Sequence, residues 1–127
     1  MMRMRRITEA GQRYAERRRR EDEAPRLLER VPQLASLKLE IEERHGSTCA
    51  SVPKHVRHIV VDNAPALFVI PCGDASCRDG GHDVTSALLR HLAAGEPHFE
   101  VDDDCNGSVG SAQCGSRMHL VATAVYR

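Results

Sequence analysis

The sequence is poor in aromatic residues and contains no long apolar run. It has no Trp, two Phe and two Tyr, so aromatic side chains are only 3% of its 127 residues. Hydrophobic residues still make up 41% of the chain, so we expect a mostly aliphatic core. No stretch approaches the roughly 18 apolar residues of a membrane span, and the N-terminus lacks the apolar segment of a signal peptide. We expect a cytoplasmic protein without membrane contact.

The chain also lacks net charge, but this neutrality is a cancellation. Lys and Arg number 18, and Asp and Glu number 18. Residues 1–44 hold 12 basic and 9 acidic side chains, a balance of +3, whereas residues 45–127 hold 6 and 9, a balance of −3. All seven His and all five Cys lie in this second part. We therefore predict a basic helical arm over residues 1–23 and a cysteine-containing α+β domain over residues 24–127.

The arm is predicted to be a helix over residues 2–23. Met4, Ile7, Gly11 and Tyr14 recur at spacings of three and four, which gives a narrow apolar stripe. One hypothesis is that the arm docks on a nucleic acid or an acidic protein. The alternative is a solvated helix with internal salt bridges, which the interspersed acids and the absence of interleaved aromatic residues favour. The arginines of the docking hypothesis are Arg13, Arg17, Arg18, Arg19 and Arg20.

Periodicity and turn residues predict an α+β domain with a mainly antiparallel sheet of about five strands and one crossover helix. The helix should start at Asp83 as N-cap and end at Gly95, before Pro97. The continuously apolar Ala66–Ile70 should be the middle strand of the sheet and form a hairpin with His55–Asp62. The other predicted elements are a short helix over residues 26–31, a strand over 37–42, a loop over 45–53, and strands over 98–101 and 118–126.

Four cysteines follow two of the predicted strands. Cys72 and Cys77 come directly after Ala66–Ile70, and Cys105 and Cys114 come after the 98–101 strand. If the helix is a right-handed crossover between these strands, the strands are parallel and both cysteine loops leave the same end of the sheet. The sequence therefore predicts a four-cysteine metal site between two loops.

Zinc is the metal that this set favours, because four thiolates suit its tetrahedral preference. Metal binding would supply about 10 kcal/mol to the folding of an aromatic-poor domain. Gly73 and Gly115, each after a cysteine, are candidates to turn backbone N–H groups toward sulfur. His82 is a possible substitute ligand or a hydrogen-bond donor to a ligand, although a polar residue before a helix cap is the favoured interpretation. The fifth thiol, Cys49, has no partner spacing and is interpreted as incidental.

The stretch Cys72-Gly73-x3-Cys77-x3-Gly81, followed by a helix, a strand and Cys105-x-Gly107, resembles the cluster-binding part of thioredoxin-like [2Fe-2S] ferredoxins. The resemblance covers about residues 66–115 and implies a [2Fe-2S] cluster on the same four thiolates. In that family the second cysteine pair is close-spaced, whereas eight residues separate Cys105 from Cys114 here. We therefore assign no family from it.

No catalytic constellation accompanies the cysteines in the sequence. His98-Phe99-Glu100 lacks the order and spacing of a zinc deaminase, and the glycines form no nucleotide-binding fingerprint. We leave enzymatic activity open and favour its absence. The leading hypothesis is a small zinc-binding adaptor or regulatory module with a structural metal. The alternatives are an iron–sulfur electron-transfer or redox-sensing protein, and a domain whose cysteines are reduced and metal-free.

Overall fold

The computed structural model describes residues 9–44, 51–74 and 76–127, and it has an α+β fold. The helices are α1 (Glu9–Glu23), α2 (Leu27–Arg30) and α3 (Thr85–Ala93). The long strands are β1 (Leu34–Arg44), β2 (Ser51–Ile59), β5 (His98–Asp104) and β8 (Arg117–Tyr126). The short strands are β3 (Val69–Pro71), β4 (Gly81–Asp83), β6 (Ser108–Val109) and β7 (Ala112–Gln113). Within these ranges, no helix has the length and apolar character needed to cross a membrane.

The main sheet has four strands in the order β2-β1-β8-β5, and every neighbouring pair is antiparallel. This confirms the predicted fold class, with four strands in the main sheet where the sequence suggested about five. β1 and β8 are the central strands. Their side chains alternate because successive residues of a strand face opposite sides of the sheet. The buried side chains include Leu37, Leu39 and Ile41 of β1 and Met118, Leu120 and Ala122 of β8.

The prediction that Ala66–Ile70 is the middle strand of the sheet is wrong. Its last two residues enter β3, and among the described strands β3 pairs only with β4, antiparallel, in a separate two-stranded ribbon. The predicted hairpin with residues 55–62 is also wrong, since β2 pairs with β1. Neither is there a parallel crossover to residues 98–101, because β5 lies at the sheet edge beside antiparallel β8. A continuous apolar run also fits a strand that lies over the core without joining the sheet.

One side of the main sheet covers an aliphatic core. Leu27 of α2 and Leu88 and Leu92 of α3 are fully buried against it. The two phenylalanines, Phe68 and Phe99, are 5% and 6% exposed and supply the aromatic bulk of the core. The core is therefore mostly aliphatic, as the composition predicts.

The predicted ends of α3 are accurate to about one residue. The Oδ1 atom of Asp83 accepts the backbone N–H of Thr85, although Val84 is the residue that precedes the first helical turn. Gly95 has a φ of 75° and its N–H donates to the carbonyl of Leu92. That left-handed conformation is one that glycine adopts without strain, so the helix ends here.

The described part of the predicted arm is α1, while residues 2–8 lie outside the described residues. α1 is joined to the domain by polar contacts: Arg20 Nη2 lies 3.3 Å from Asp83 Oδ2, and Arg26 Nη2 donates to the carbonyls of Glu21 and Ala24. Tyr14 remains 57% exposed. Of the predicted 45–53 loop, residues 51–53 belong to β2, and residues 45–50 lie outside the described residues.

Candidate metal centre

Four sulfur atoms meet at one end of the molecule. The Sγ atoms of Cys72, Cys77, Cys105 and Cys114 all lie within 4.8 Å of one another. Two close contacts join the two loops: Cys77 Sγ to Cys105 Sγ is 3.6 Å and Cys72 Sγ to Cys114 Sγ is 3.9 Å. Each of these contacts pairs one cysteine from each loop.

These separations match a tetrahedral site for one ion. Thiolates at about 2.3 Å from a zinc ion are about 3.8 Å apart in a regular tetrahedron. A disulfide needs about 2.05 Å between sulfurs, so neither close pair is bonded, and all four cysteines are free. Cys105 and Cys114 are buried and Cys72 and Cys77 half-buried. The arrangement can therefore hold a metal ion that is shielded on one side.

The first cysteine loop connects the two strands of the ribbon. Cys72 directly follows β3, and Cys77 precedes β4. Asp74 shapes the turn between them, because its Oδ1 accepts the N–H of Ser76 and its carbonyl accepts the N–H of Cys77. This Asx-type turn reverses the chain, so both sulfurs of the loop face the same point.

The second cysteine loop leaves the main sheet between β5 and β8 and contains the β6–β7 hairpin. Cys105 follows β5, and its N–H donates to the carbonyl of Ser116. Cys114 follows β7, and its N–H donates to the carbonyl of Gly107. These two bonds fold the loop back on itself and bring its cysteines together.

A backbone bridge joins the two loops. The N–H of Arg78 donates to the carbonyl of Ser108 at 2.8 Å, and the N–H of Ser108 donates to the carbonyl of Arg78 at 3.1 Å. Such reciprocal bonds form one rung of an antiparallel ladder. This rung holds the loops close enough for their sulfurs to converge.

Two glycines make that approach possible. A Cβ atom on Gly107 would lie 2.5 Å from Cys77 Sγ and 2.7 Å from the carbonyl oxygen of Arg78. A Cβ atom on Gly80 would collide with the sulfurs of Cys77 and Cys105. The N–H of Gly107 also lies 3.4 Å from Cys105 Sγ as a donor. Only glycine leaves room for the sulfurs at these two positions.

The glycines next to the sulfurs are Gly80 and Gly107, whereas the sequence pattern predicts this role for Gly73 and Gly115. The N–H of Gly73 donates to the Glu43 carboxylate, at 2.9 Å to Oε1 and 3.0 Å to Oε2, rather than to sulfur. The available signal was a glycine two or three residues after a cysteine, in Cys105-Asn106-Gly107 and Cys77-Arg78-Asp79-Gly80.

The thiols differ in acidity. Hydrogen bonding from Ser116 is the main cause that lowers the pKa of Cys114 to about 7, and the Ser116 Oγ lies 3.3 Å from its sulfur. Burial raises the pKa of Cys77 to about 11 and raises that of Cys72 still further above its ordinary value. At neutral pH without a cation, Cys72 and Cys77 therefore keep their protons. A divalent ion must displace these protons from the thiols to bind. The affinity of the site for the ion therefore falls as the pH falls.

A buried histidine, His82, lies close to residues that adjoin both cysteine loops. His82 is fully buried, with Nδ1 2.8 Å from Asp103 Oδ2 and Nε2 3.7 Å from Glu43 Oε1. Within the described ranges, this Nε2 is a buried nitrogen without a hydrogen-bond partner. The four-cysteine set does not include His82. His82 instead contacts Asp103, two residues before Cys105, and approaches Glu43, which holds the Cys72 loop through Gly73.

Two arginines, Arg78 and Arg117, lie close to the cysteines in the sequence, but neither side chain pairs with a sulfur among the described contacts. The Nε of Arg117 donates instead to Asp104 Oδ1 at 2.9 Å, and both side chains are exposed. Arg78 contributes its backbone to the bridge between the loops, and its side chain is exposed. The described hydrogen bonds between a sulfur and a non-cysteine group near the site include that of the Gly107 N–H to Cys105 Sγ and that of the Cys114 thiol to Ser116 Oγ.

Comparison of the chain with protein-family models, with curated proteins and with solved structures finds no significant match. What the site can do is therefore argued from its own geometry.

Proposed function

We propose that this chain is a small zinc-binding module whose metal is structural and whose role is to bind a partner. The observation that carries the proposal is the convergence of four cysteine sulfurs within 4.8 Å. Four thiolates complete the tetrahedral shell of zinc and leave no open position for a substrate or water. A closed shell supports a structural role for the metal.

The spacing of the sulfurs favours one ion over a [2Fe-2S] cluster. Such a cluster divides its four cysteines between two irons, so thiolates on different irons lie farther apart than thiolates that share one ion. All four sulfurs here are close enough to share one ion. Zinc is favoured among single ions because it suits a tetrahedral all-sulfur site and because Zn²⁺ is redox-inactive, so oxygen does not oxidise it.

The binding role is supported by the arginines of α1. Arg13, Arg18, Arg19 and Arg20 are exposed and Arg17 is half-buried, all on the helix that lies next to the cysteine loops. The proposal includes a reducing environment such as the cytoplasm, because free thiols at these distances persist there.

Elemental analysis of anaerobically purified protein, with an absorption spectrum, tests the proposal. We expect about one zinc per chain and a colourless sample. A brown sample that contains iron and absorbs visible light would contradict the zinc proposal and indicate an iron site on the same thiolates. A sample with only traces of any metal would reject the metal site altogether.

A further inference from the structure

A groove separates α1 from the β3–β4 ribbon beside the cysteine loops. Its volume is about 490 Å³, and its lining includes Arg13, Arg17 and Arg20 on one side and Leu67, Val69 and Pro71 on the other. Cys72 and Cys77 lie at one end of it. The groove thus combines an arginine wall, an apolar floor and the rim of the metal site.

The apolar floor of the groove forms because successive side chains from Ala66 to Ile70 face alternate sides of the chain. Ala66, Phe68 and Ile70 are buried in the core, so Leu67 and Val69 face the opposite way and remain half-buried. β3 pairs with β4 on one edge only among the described strands. The floor therefore offers apolar side chains next to a strand edge, which suits an extended segment.

The wall exists because Arg13, Arg17 and Arg20 are spaced by four and three residues, which places them on one face of α1. Arg17 lies over the ring of Tyr14 at 6.0 Å, and Arg20 is 3.3 Å from Asp83. For Arg13 no ion pair is formed within the part of the chain described. This residue is therefore free to pair with a carboxylate from outside.

Two acids also line this region, and their effect is limited. Glu16 is bonded to Arg19 at 2.6 Å, so its charge is already paired, and Asp79 lies near the cysteine end. A zinc ion on four thiolates would add a formal charge of about −2 at that same end. The potential therefore changes sign along the groove, and carboxylates of an occupant belong at the α1 side.

The chain itself offers no acidic segment to fill the groove from the residues outside the described ranges. Residues 1–8 and 45–50 contain no Asp or Glu, and residues 1–8 contain three Arg. α1 does not close the groove with apolar contacts, since Tyr14 is 57% exposed. The occupant that fits by charge and by apolar character comes from another protein.

We propose that the groove between α1 and β3 binds an extended segment of a partner protein in which acidic and apolar residues alternate. Apolar side chains of the segment pack on Leu67 and Val69, and its carboxylates pair with Arg13 and Arg17. This inference rests on the proposed binding role and specifies the partner class. It is independent of which metal occupies the four thiolates.

Fluorescence anisotropy of the metal-loaded full-length chain tests this site. The probe is a labelled peptide of about eight residues in which glutamate and valine alternate, a length suited to one added strand. We expect saturable binding that weakens as salt rises, because the contacts include surface charges. Arg13→Glu should weaken binding by about tenfold or more. Leu67→Ser should weaken it with little change in salt dependence.

Arg18→Glu is the matched control, because it makes the same charge change on the same helix outside the groove. We expect it to change affinity less than about twofold. Equal losses for Arg13→Glu and Arg18→Glu would reject a groove site in favour of general charge attraction. Absence of peptide binding, or displacement of the peptide by a short single-stranded oligonucleotide of higher affinity, would also overturn the proposal.

A second copy of the chain is the remaining occupant. Sedimentation that shows a dimer which the peptide does not dissociate, but which Arg13→Glu does, would overturn the proposal in favour of self-association. Metal content is measured for every variant in the same samples. Absence of peptide binding by wild-type protein that has its full metal content rejects the groove alone, whereas a metal-free wild-type protein rejects the proposed metal site.

Discussion

The sheet and the cysteine end (residues 71–83 and 105–116) are held together by different interactions. β1 and β8 pair at ten positions, and one face of these strands is buried in an aliphatic core. At the cysteine end, the ribbons pair at three positions and two positions. Among the described residues of the cysteine end, the buried side chains are those of Cys105, Cys114, Ser116 and His82, which are small or polar.

This difference indicates which region the proposed metal ion would stabilise most. Burial of apolar surface stabilises the sheet without any cofactor, at about 25 cal/mol per Å². The cysteine end buries little apolar surface, so its backbone hydrogen bonds alone must offset the entropy cost of ordering the loops. We therefore expect the sheet to tolerate metal loss better than the cysteine end, and four experiments test that expectation in order of effect.

The largest effect should follow Cys105→Ser. Cys105 is fully buried and its sulfur is 3.6 Å from that of Cys77, so serine removes a ligand from the centre of the set. We expect loss of zinc, with up to about 10 kcal/mol of metal-binding free energy, and loss of hydrogen-exchange protection at residues 76–83 and 105–116. Cys49→Ser is the matched control and should keep its zinc. Unchanged zinc content in Cys105→Ser would contradict the four-thiolate site.

Leu120→Ala should weaken the sheet without emptying the site. Leu120 is fully buried on β8, and truncation of such a leucine costs about 2–5 kcal/mol of unfolding free energy. Urea unfolding of the zinc-loaded protein measures this loss, while zinc per chain should not change. Val121→Ala, on the solvent side of the same strand, should cost less than about 1 kcal/mol. Zinc loss in folded Leu120→Ala would show that the two regions are not separable.

Gly107→Ala should act in the opposite way, on the site more than on the sheet. Its new Cβ would lie 2.5 Å from Cys77 Sγ and 2.6 Å from Gly80 Cα, so the loops must separate. We expect zinc affinity to fall by about 10–100-fold, the range typical when groups that support metal ligands are changed. Competition with a chelator measures the affinity.

Gly110→Ala is the control for this glycine, because its Cβ would meet nothing within 4 Å. Gly110 has a φ of 60°, so alanine there should cost only about 1 kcal/mol of local strain. Equal zinc affinities for the two variants would contradict the steric role assigned to Gly107.

The smallest effect concerns the open face of the sheet. A hydrogen bond with Asp102 is the main cause that raises the pKa of His119, and the two atoms lie 2.7 Å apart. The protonated form is favoured in the fold, so this stabilisation is present below the unfolded pKa of about 6.5 and is lost as the pH rises through the higher folded pKa. His119 is 38% exposed, which limits the effect to at most about 1 kcal/mol.

His119→Gln should remove this contribution and flatten the stability profile of the zinc-loaded protein above about pH 6.5. Asp102→Asn should flatten it in the same way, because it removes the main cause of the raised pKa. An unchanged profile in both variants would exclude the pair as its origin. The zinc content of both variants should equal that of the wild-type protein, which would show that the change in stability arises in the sheet and not at the metal site.

The sequence was sufficient for the fold class and for several element ends. Leu37, Leu39 and Ile41 alternate with charged residues, and all three are buried on β1 as that pattern predicts. Glu43 continues the same alternation and is 7% exposed, so the pattern already placed a carboxylate on the buried side. The strand predicted over residues 37–42 ends one residue before Glu43.

The topology could not be deduced because local patterns do not specify which strands pair. Ala66–Ile70 is apolar throughout because one side meets the core and the other lines the groove beside α1. In the sequence, such a run cannot be distinguished from a central strand that is covered on both faces. The four cysteines nevertheless converge, although the parallel crossover used to predict it is wrong. They meet through the loop between β3 and β4 and through the Arg78–Ser108 bridge. Neither feature produces a periodic pattern of apolar residues from which it could be predicted.

The cross-loop arrangement of the sulfurs has a consequence for how the chain acquires its native form. Each close pair joins residues that are 28 or 42 positions apart, whereas Cys72 and Cys77 are separated by only five. A metal ion captured early by one local pair is held by half its final ligands. In the proposed metal-bound form, full coordination requires that the sheet first bring the second loop next to the first, so we expect complete coordination of the ion to come late in folding.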